Sequence, residues 1–304
     1  MNRERAGRAG GGIALPWADP IQSAAMTLPP PSEAHSTSTP TLARLGPPAE
    51  AGEASLVIVT LGGFRVWRDG QALPPSAWRR DKALQLLQYL VSQRRRRLER
   101  EQIIDALWPD LDPTAGERDF KVALNAVLRA LEPERAPRAE PRFVERLGHA
   151  YGLAPGTWID AEALEAHVGA AHHAVGAGDR SRALAHYQAA AALYDGEYLP
   201  ERAYEEWTIL ERERLQMLAL GAMTRAASML VDEHPLESLR LAQRALRFDP
   251  AWESAWRLQM RAHRARGDRA QVEVSWRRCV ASLATLGLEP LDETRAVYQA
   301  ALSS

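Results

Sequence analysis

The order of apolar and polar positions divides this chain into a mixed segment followed by a helical one. The run Leu56-Val57-Ile58-Val59-Thr60-Leu61 is rich in β-branched residues and reads as a strand. Gly62-Gly63 interrupts it, and Phe64-Arg65-Val66-Trp67 alternates as a half-buried second strand does. Asp69-Gly70 is a hairpin turn signal leading to a short third strand at Gln71–Leu73, which Pro74-Pro75 ends. Three helical periods follow. Arg80–Gln93 sets Ala83, Leu86, Leu87, Leu90 and Val91 on one face. Arg100–Leu107 turns Ile103, Ile104 and Leu107 inward and stops at Trp108-Pro109, because proline disfavours helical geometry in the residue before it. Ala115–Leu131 gathers Phe120, Leu124, Val127 and Leu131 within about 60° of one another at the helical period. After the proline-broken stretch from Pro133 to Pro141, Phe143–Leu147, a turn at Gly148 and Tyr151–Leu153 predict a hairpin.

From Asp160 onward the pattern is alanine-rich helix without a strand signal. Ser238-Leu239-Arg240-Leu241-Ala242 lies in register with Val272-Glu273-Val274-Ser275-Trp276, at the 34-residue spacing of tetratricopeptide units. Gly178-Asp179 is echoed by Gly267-Asp268. In each, the glycine suits a left-handed turn and the aspartate caps the following helix. Such units stack into a shared core with a concave face for partners. Residues 1–55 carry Gly, Pro, Ser and Thr without a period and are expected to be a disordered leader. The expected organisation is therefore a leader at 1–55, an α+β winged helix at 56–155 and an all-α repeat domain at 156–304.

Composition refines this picture. The single cysteine, Cys279, excludes a disulfide framework and a cysteine-rich zinc site and suits a reducing cytosol. No apolar run approaches the ~18 residues of a membrane span, and the basic amino terminus lacks the apolar core of a signal peptide, so a cytoplasmic protein is expected. The net charge of −1 hides an asymmetry: residues 56–155 hold 17 basic and 13 acidic side chains, and residues 156–304 hold 17 and 21. Positive charge over the mixed segment is the footprint of a phosphate-binding surface.

In a winged helix the third helix enters the major groove. Opposite its apolar face, helix 115–131 carries Arg118, Lys121, Asn125 and Arg129. Arginine offers a bidentate fork to guanine, asparagine does the same for adenine, and lysine neutralises phosphate. Arg79, Arg80 and Lys82 at the first helix, with Arg146 and His149 on the hairpin, are the expected phosphate and wing contacts. Arg94-Arg95-Arg96-Arg97, between the first two helices, reads as a solvated loop or a phosphate clamp.

Leu61-Gly62-Gly63-Phe64, Ala106-Leu107-Trp108-Pro109 and the stretch Ala123-Leu124-Asn125 to Leu128-Arg129-Ala130-Leu131 resemble the DNA-binding half of the antibiotic regulatory proteins, the SARP family, with its OmpR-type winged helix. Gly196-Glu197-Tyr198-Leu199, Glu206-Trp207, Arg212, Asp249-Pro250, Gly267-Asp268-Arg269 and Leu286-Gly287-Leu288-Glu289-Pro290 resemble the bacterial transcriptional activator domain that accompanies it. The likeness covers roughly residues 56–302. It implies a transcription activator binding duplex DNA as a dimer or tandem pair, with the repeats meeting RNA polymerase or another protein. One departure is Ala130, where the family carries a second consecutive basic residue.

His167, His172, His173 and His186 lack the Glu-flanked spacing of a zinc helix and are read as ordinary core or surface residues. Trp207, Trp252, Trp256 and Trp276 are expected to pack the repeat core. No phosphate-binding loop or nucleophile motif occurs, so no catalytic residue, metal or cofactor is assigned. Two alternatives remain: a repeat scaffold whose winged helix contacts protein, and a sensor binding a small anion such as a nucleotide messenger at Arg257, Arg261 and Arg264.

Overall fold

The computed structural model describes residues 46–78 and 80–303. The leader up to residue 45 and Arg79, expected among the phosphate contacts, lie outside the described residues. Strand β1 (Leu56–Val59) is buried at every position, which demands cover on both faces. One face, Leu56 and Ile58, belongs to the main core. The other, Val57 and Val59, is covered by Ala51, Ala54, Trp67 and Trp158. Residues 46–55, read from sequence as part of the leader, therefore belong to the fold. A short 3-10 turn at Ala49–Ala51 buries Ala51 there, and Glu50 is bonded to His167.

β1 pairs antiparallel with β2 (Arg65–Arg68), which pairs with β3 (Gln71–Ala72). On its other side β1 takes a parallel neighbour formed much later in the chain. Helix α1 (Asp81–Ser92) follows, then the two-residue β4 (Leu98–Glu99) and α2 (Arg100–Leu107). Helix α3 (Pro113–Leu131) begins two residues earlier than its apolar period. Asp112 accepts from the Thr114 and Ala115 amides at 3.0 and 3.1 Å, and Pro113 occupies the first turn, where no donor is missed. The wing is β5 (Val144–Leu147) and β6 (Ala150–Leu153), joined at Gly148, whose φ of +62° fits the turn. β4 pairs with β6 to make a three-stranded sheet. β7 (Thr157–Ile159) is the parallel neighbour of β1 and completes the four-stranded sheet β3-β2-β1-β7. Neither β4 nor β7 was legible in the sequence, because each is too short to establish a period.

The second half is seven helices: α4 (Asp160–Gly176), α5 (Arg180–Leu193), α6 (Glu206–Leu230), α7 (Pro235–Phe248), α8 (Glu253–Ala265), α9 (Arg269–Ala284) and α10 (Asp292–Leu302). Each packs on the next, and α4, α6, α8 and α10 also adjoin in succession as an inner layer. The 34-residue register has a packing cause. Ser238 and Val272, then Ala245 and Cys279, are fully buried equivalents on α7 and α9. The Gly-Asp turns take the expected form: Gly178 and Gly267 have φ of +75° and +72°, and Asp179 and Asp268 cap α5 and α9. Trp256 is buried and Trp276 stacks on Tyr298. Trp207 lies edge-on to Tyr89 of α1 at 5.4 Å, outside the repeats. One hydrophobic cluster runs from Leu56 to Leu283 through both halves.

Candidate nucleic-acid interface

Helix α3 buries Gly116, Phe120, Ala123, Val127, Leu128 and Leu131. Leu124, expected inward, is only half-buried, so the inward arc is centred closer to Ala123 and Leu128. Two contacts fix the helix. Gly116 leaves room for Ile104 of α2, whose Cγ2 would stand 2.6 Å from an added Cβ. Phe120 meets Tyr151 of the wing edge-to-face at 5.1 Å. The C-terminus is held too, because Arg68 of β2 donates to the carbonyls of Ala130 and Leu131. A cation therefore reaches the negative end of the helix dipole from another strand, beside Ala130. Glu132 accepts from the Arg142 and Phe143 amides, fastening the end of α3 to the start of the wing.

The outward side carries the expected stripe. Arg118, Lys121, Asn125 and Arg129 are all exposed. Arg118 bonds Asp119 at 3.0 Å, and Lys121 bonds Glu117 at 2.9 Å. That second bond, with the charges of Lys121 and Arg100, holds the Glu117 carboxyl below its ordinary range. Exposed pairs of this kind contribute little and exchange readily for phosphate. Among the described residues Asn125 and Arg129 have no side-chain partner. Lys121 and Asn125 form one bank of a groove of about 640 Å³ whose other bank is Arg146, Gly148 and Tyr151 of the wing, with Arg100 and Arg135 beside it.

The expected phosphate contacts divide. Arg146 lies on the wing, donating to the Gly148 carbonyl at 2.9 Å, and His149 is exposed next to it. Arg80 is exposed ahead of α1. Lys82, also exposed, is engaged within the fold. Its ammonium donates to the Leu107 carbonyl at 2.6 Å and lies over the Trp108 ring, closing the end of α2.

The bacterial transcriptional activator domain model matches residues 159–302. That segment of the chain, α4 to α10, carries this domain. Among solved structures it is similar to Mycobacterium tuberculosis EmbR, determined in complex with a low-affinity phosphopeptide. That match has 21% identity and a TM-score of 0.67, and covers 82% of this chain and 65% of that one. A likeness at this identity is one of fold, and the chain spans under two thirds of the EmbR chain. Among curated proteins, none matches this chain.

The activator domain is clasped to the winged helix, and here Arg94 departs from both sequence readings. The Arg94 side chain is 3% exposed, with Nη2 2.8 Å from both Glu165 of α4 and Glu211 of α6 and Nε facing Glu162 at 3.5 Å. Arg95 and Arg214 share Glu165, and Arg97 turns to Glu145 of the wing. Arg94 is thus a joint between the halves, while Arg95, Arg96 and Arg97 stay exposed as a solvated loop would. Burial alone would raise the Glu211 carboxyl, yet the bonds from Arg214 and Arg94 outweigh it and hold it below the usual range. Asp160, buried at the head of α4, accepts from the Thr60 and Leu61 amides at the end of β1, although burial pushes its carboxyl upward.

Two motifs of the resemblance meet at this joint. Leu61 bridges Tyr198, the Gly62 amide donates to the Glu197 carbonyl at 2.9 Å, and the Leu199 amide donates to the Thr60 carbonyl at 2.9 Å. A Cβ on Gly196 would stand 2.6 Å from the Gly62 Cα, so both glycines are required by backbone contact. Their residue types carried this signal, but no periodicity in the sequence could pair segments 134 positions apart.

Proposed function

We propose that this activator-family chain is a sequence-specific duplex-DNA-binding regulator that reads the major groove with α3. The carrying observation is the free, outward-facing pair Asn125 and Arg129 in line with Lys121, beside a groove whose far bank is the cationic wing. Arg118, Lys121, Asn125 and Arg129 read bases, while Arg80, Arg146 and His149 set position on phosphate and the minor-groove edge. The protein works without catalysis in the cytoplasm, binds repeated sites as a homodimer, and uses its repeats for RNA polymerase or a signal-bearing protein. No helix among the described residues is long and apolar enough to cross a membrane, which is consistent with that reading.

The test is a shift assay on promoter fragments from the chain's own neighbourhood. Arg118→Ala or Asn125→Ala should weaken specific binding by ~1–3 kcal/mol, and wild-type affinity should fall steeply with salt. Binding indifferent to both substitutions contradicts the assignment of α3.

A further inference from the structure

The inner layer of the activator domain holds a trough that the DNA-binding reading does not use. One part lies between α4, α5 and α6, with Val175, Arg180 and Tyr187 on its walls and a volume of about 400 Å³. Another, of about 260 Å³, lies between α6, α8 and α10, where Arg257, Arg261 and Val297 stand. Arg225 and Ser228 line both parts, so the two are one trough crossing the inner helices.

Its charge runs against that of its domain. Residues 156–304 carry a net −4, yet four arginines line this trough and no carboxylate does. At the rim, Asp232 lies 3.7 Å from Arg261 and Glu293 lies 3.5 Å from Arg257. Asp179, next to Arg180 in sequence, has its carboxylate committed to the Arg182 amide. Arg180 reaches only the Met229 carbonyl, and Arg225 is exposed. Among the described residues neither pairs with a carboxylate. Two guanidinium charges are thus uncompensated, and apolar side chains stand between them. Val175 is 55% exposed, an apolar surface at the mouth of the trough.

We propose that this trough docks an acidic, extended segment of a partner protein, its carboxylates on Arg180, Arg225 and Arg261 and its apolar side chains against Val175 and Val297. The inference rests on the reading that the repeats serve a protein partner and is independent of DNA recognition by α3. Arginine forks match carboxylates in bidentate geometry, and Ser228 can bond to a passing backbone. Length favours a peptide over a small anion. Neighbouring helices stand about 9 Å apart and an extended chain rises about 3.3 Å per residue, so the span from α4 to α10 takes roughly eight residues.

The test is a display selection of random nonapeptides on the full chain, followed by titration of the selected peptides. Enrichment of Asp and Glu between apolar residues is expected, with affinity falling about tenfold or more in Arg225→Ala and again in Arg261→Ala. Thermal melting and DNA binding by these variants should match wild type, which separates this result from failure of the α3 reading. The proposal is overturned if no acidic consensus emerges, or if selected peptides bind Arg225→Ala unchanged. Displacement of the peptides by ATP or by random duplex DNA at equal charge concentration overturns it as well, since the trough would then be a general polyanion surface.

Discussion

Arg94 and Arg146 carry the same charge and do opposite work, and the difference lies in what surrounds each guanidinium. Arg94 is sealed among Glu162, Glu165 and Glu211. Removing it leaves Glu165 and Glu211 to Arg214 and Arg95 alone and strips two of their bonds, so Arg94→Ala should lower unfolding free energy by ~1–3 kcal/mol in a denaturant titration. A loss below about 1 kcal/mol would mean that the cluster behaves as a solvated surface pair. Arg146 is exposed, bonds only its own turn and lies over the Tyr151 ring. The sequence distinguishes these residues poorly. Four consecutive arginines look solvated in any window, because the acids that bury the first of them come from α4 and α6. The bond of Lys82 was hidden for a similar reason, since its acceptor is a backbone carbonyl that no side-chain pattern records. The α3 stripe was legible because one helix carries it whole.

At the level of elements, α3 is held at both ends and along its inner face. Its head takes the Asp112 cap, its middle packs on Ile104 and Tyr151, and its tail receives Arg68. Such support gives its outward side chains a fixed platform. The clasp between the Leu61-Gly62-Gly63-Phe64 turn and the Gly196-Glu197-Tyr198-Leu199 loop is equally specific. Gly196→Ala would press a methyl against the Gly62 backbone, which cannot yield as a side-chain tip can. It should cost ~1–3 kcal/mol in thermal or denaturant unfolding. Gly169→Ala, within α4 and with open space around its added carbon, should cost nothing by the same measurement. Helices and long strands were readable from their periods; β4 and β7 were not. β7 was missed because three residues beside β1 acquire their meaning only when the chain returns to the first sheet.

At the scale of the whole molecule, one large apolar cluster, from Leu56 to Leu283, joins the winged helix to the activator repeats. Heating should therefore give a single cooperative transition rather than one for each half. The joint also sets an acid limit. The Glu211 carboxyl is held below its usual range in the fold, so its contribution is complete above about pH 4.3, the unfolded glutamate value, and is lost as pH falls through the folded value. Melting temperature should drop below about pH 4 in wild type, and the drop should be smaller in Glu211→Gln. The most direct measurement of the central claim is selection of random duplex DNA by the intact chain, repeated with Asn125→Ala. Recovery of a defined motif by wild type, weakened or relaxed at one base position by the substitution, is the predicted result. Recovery of no motif by wild type, or of an identical motif at unchanged affinity by the variant, would contradict it.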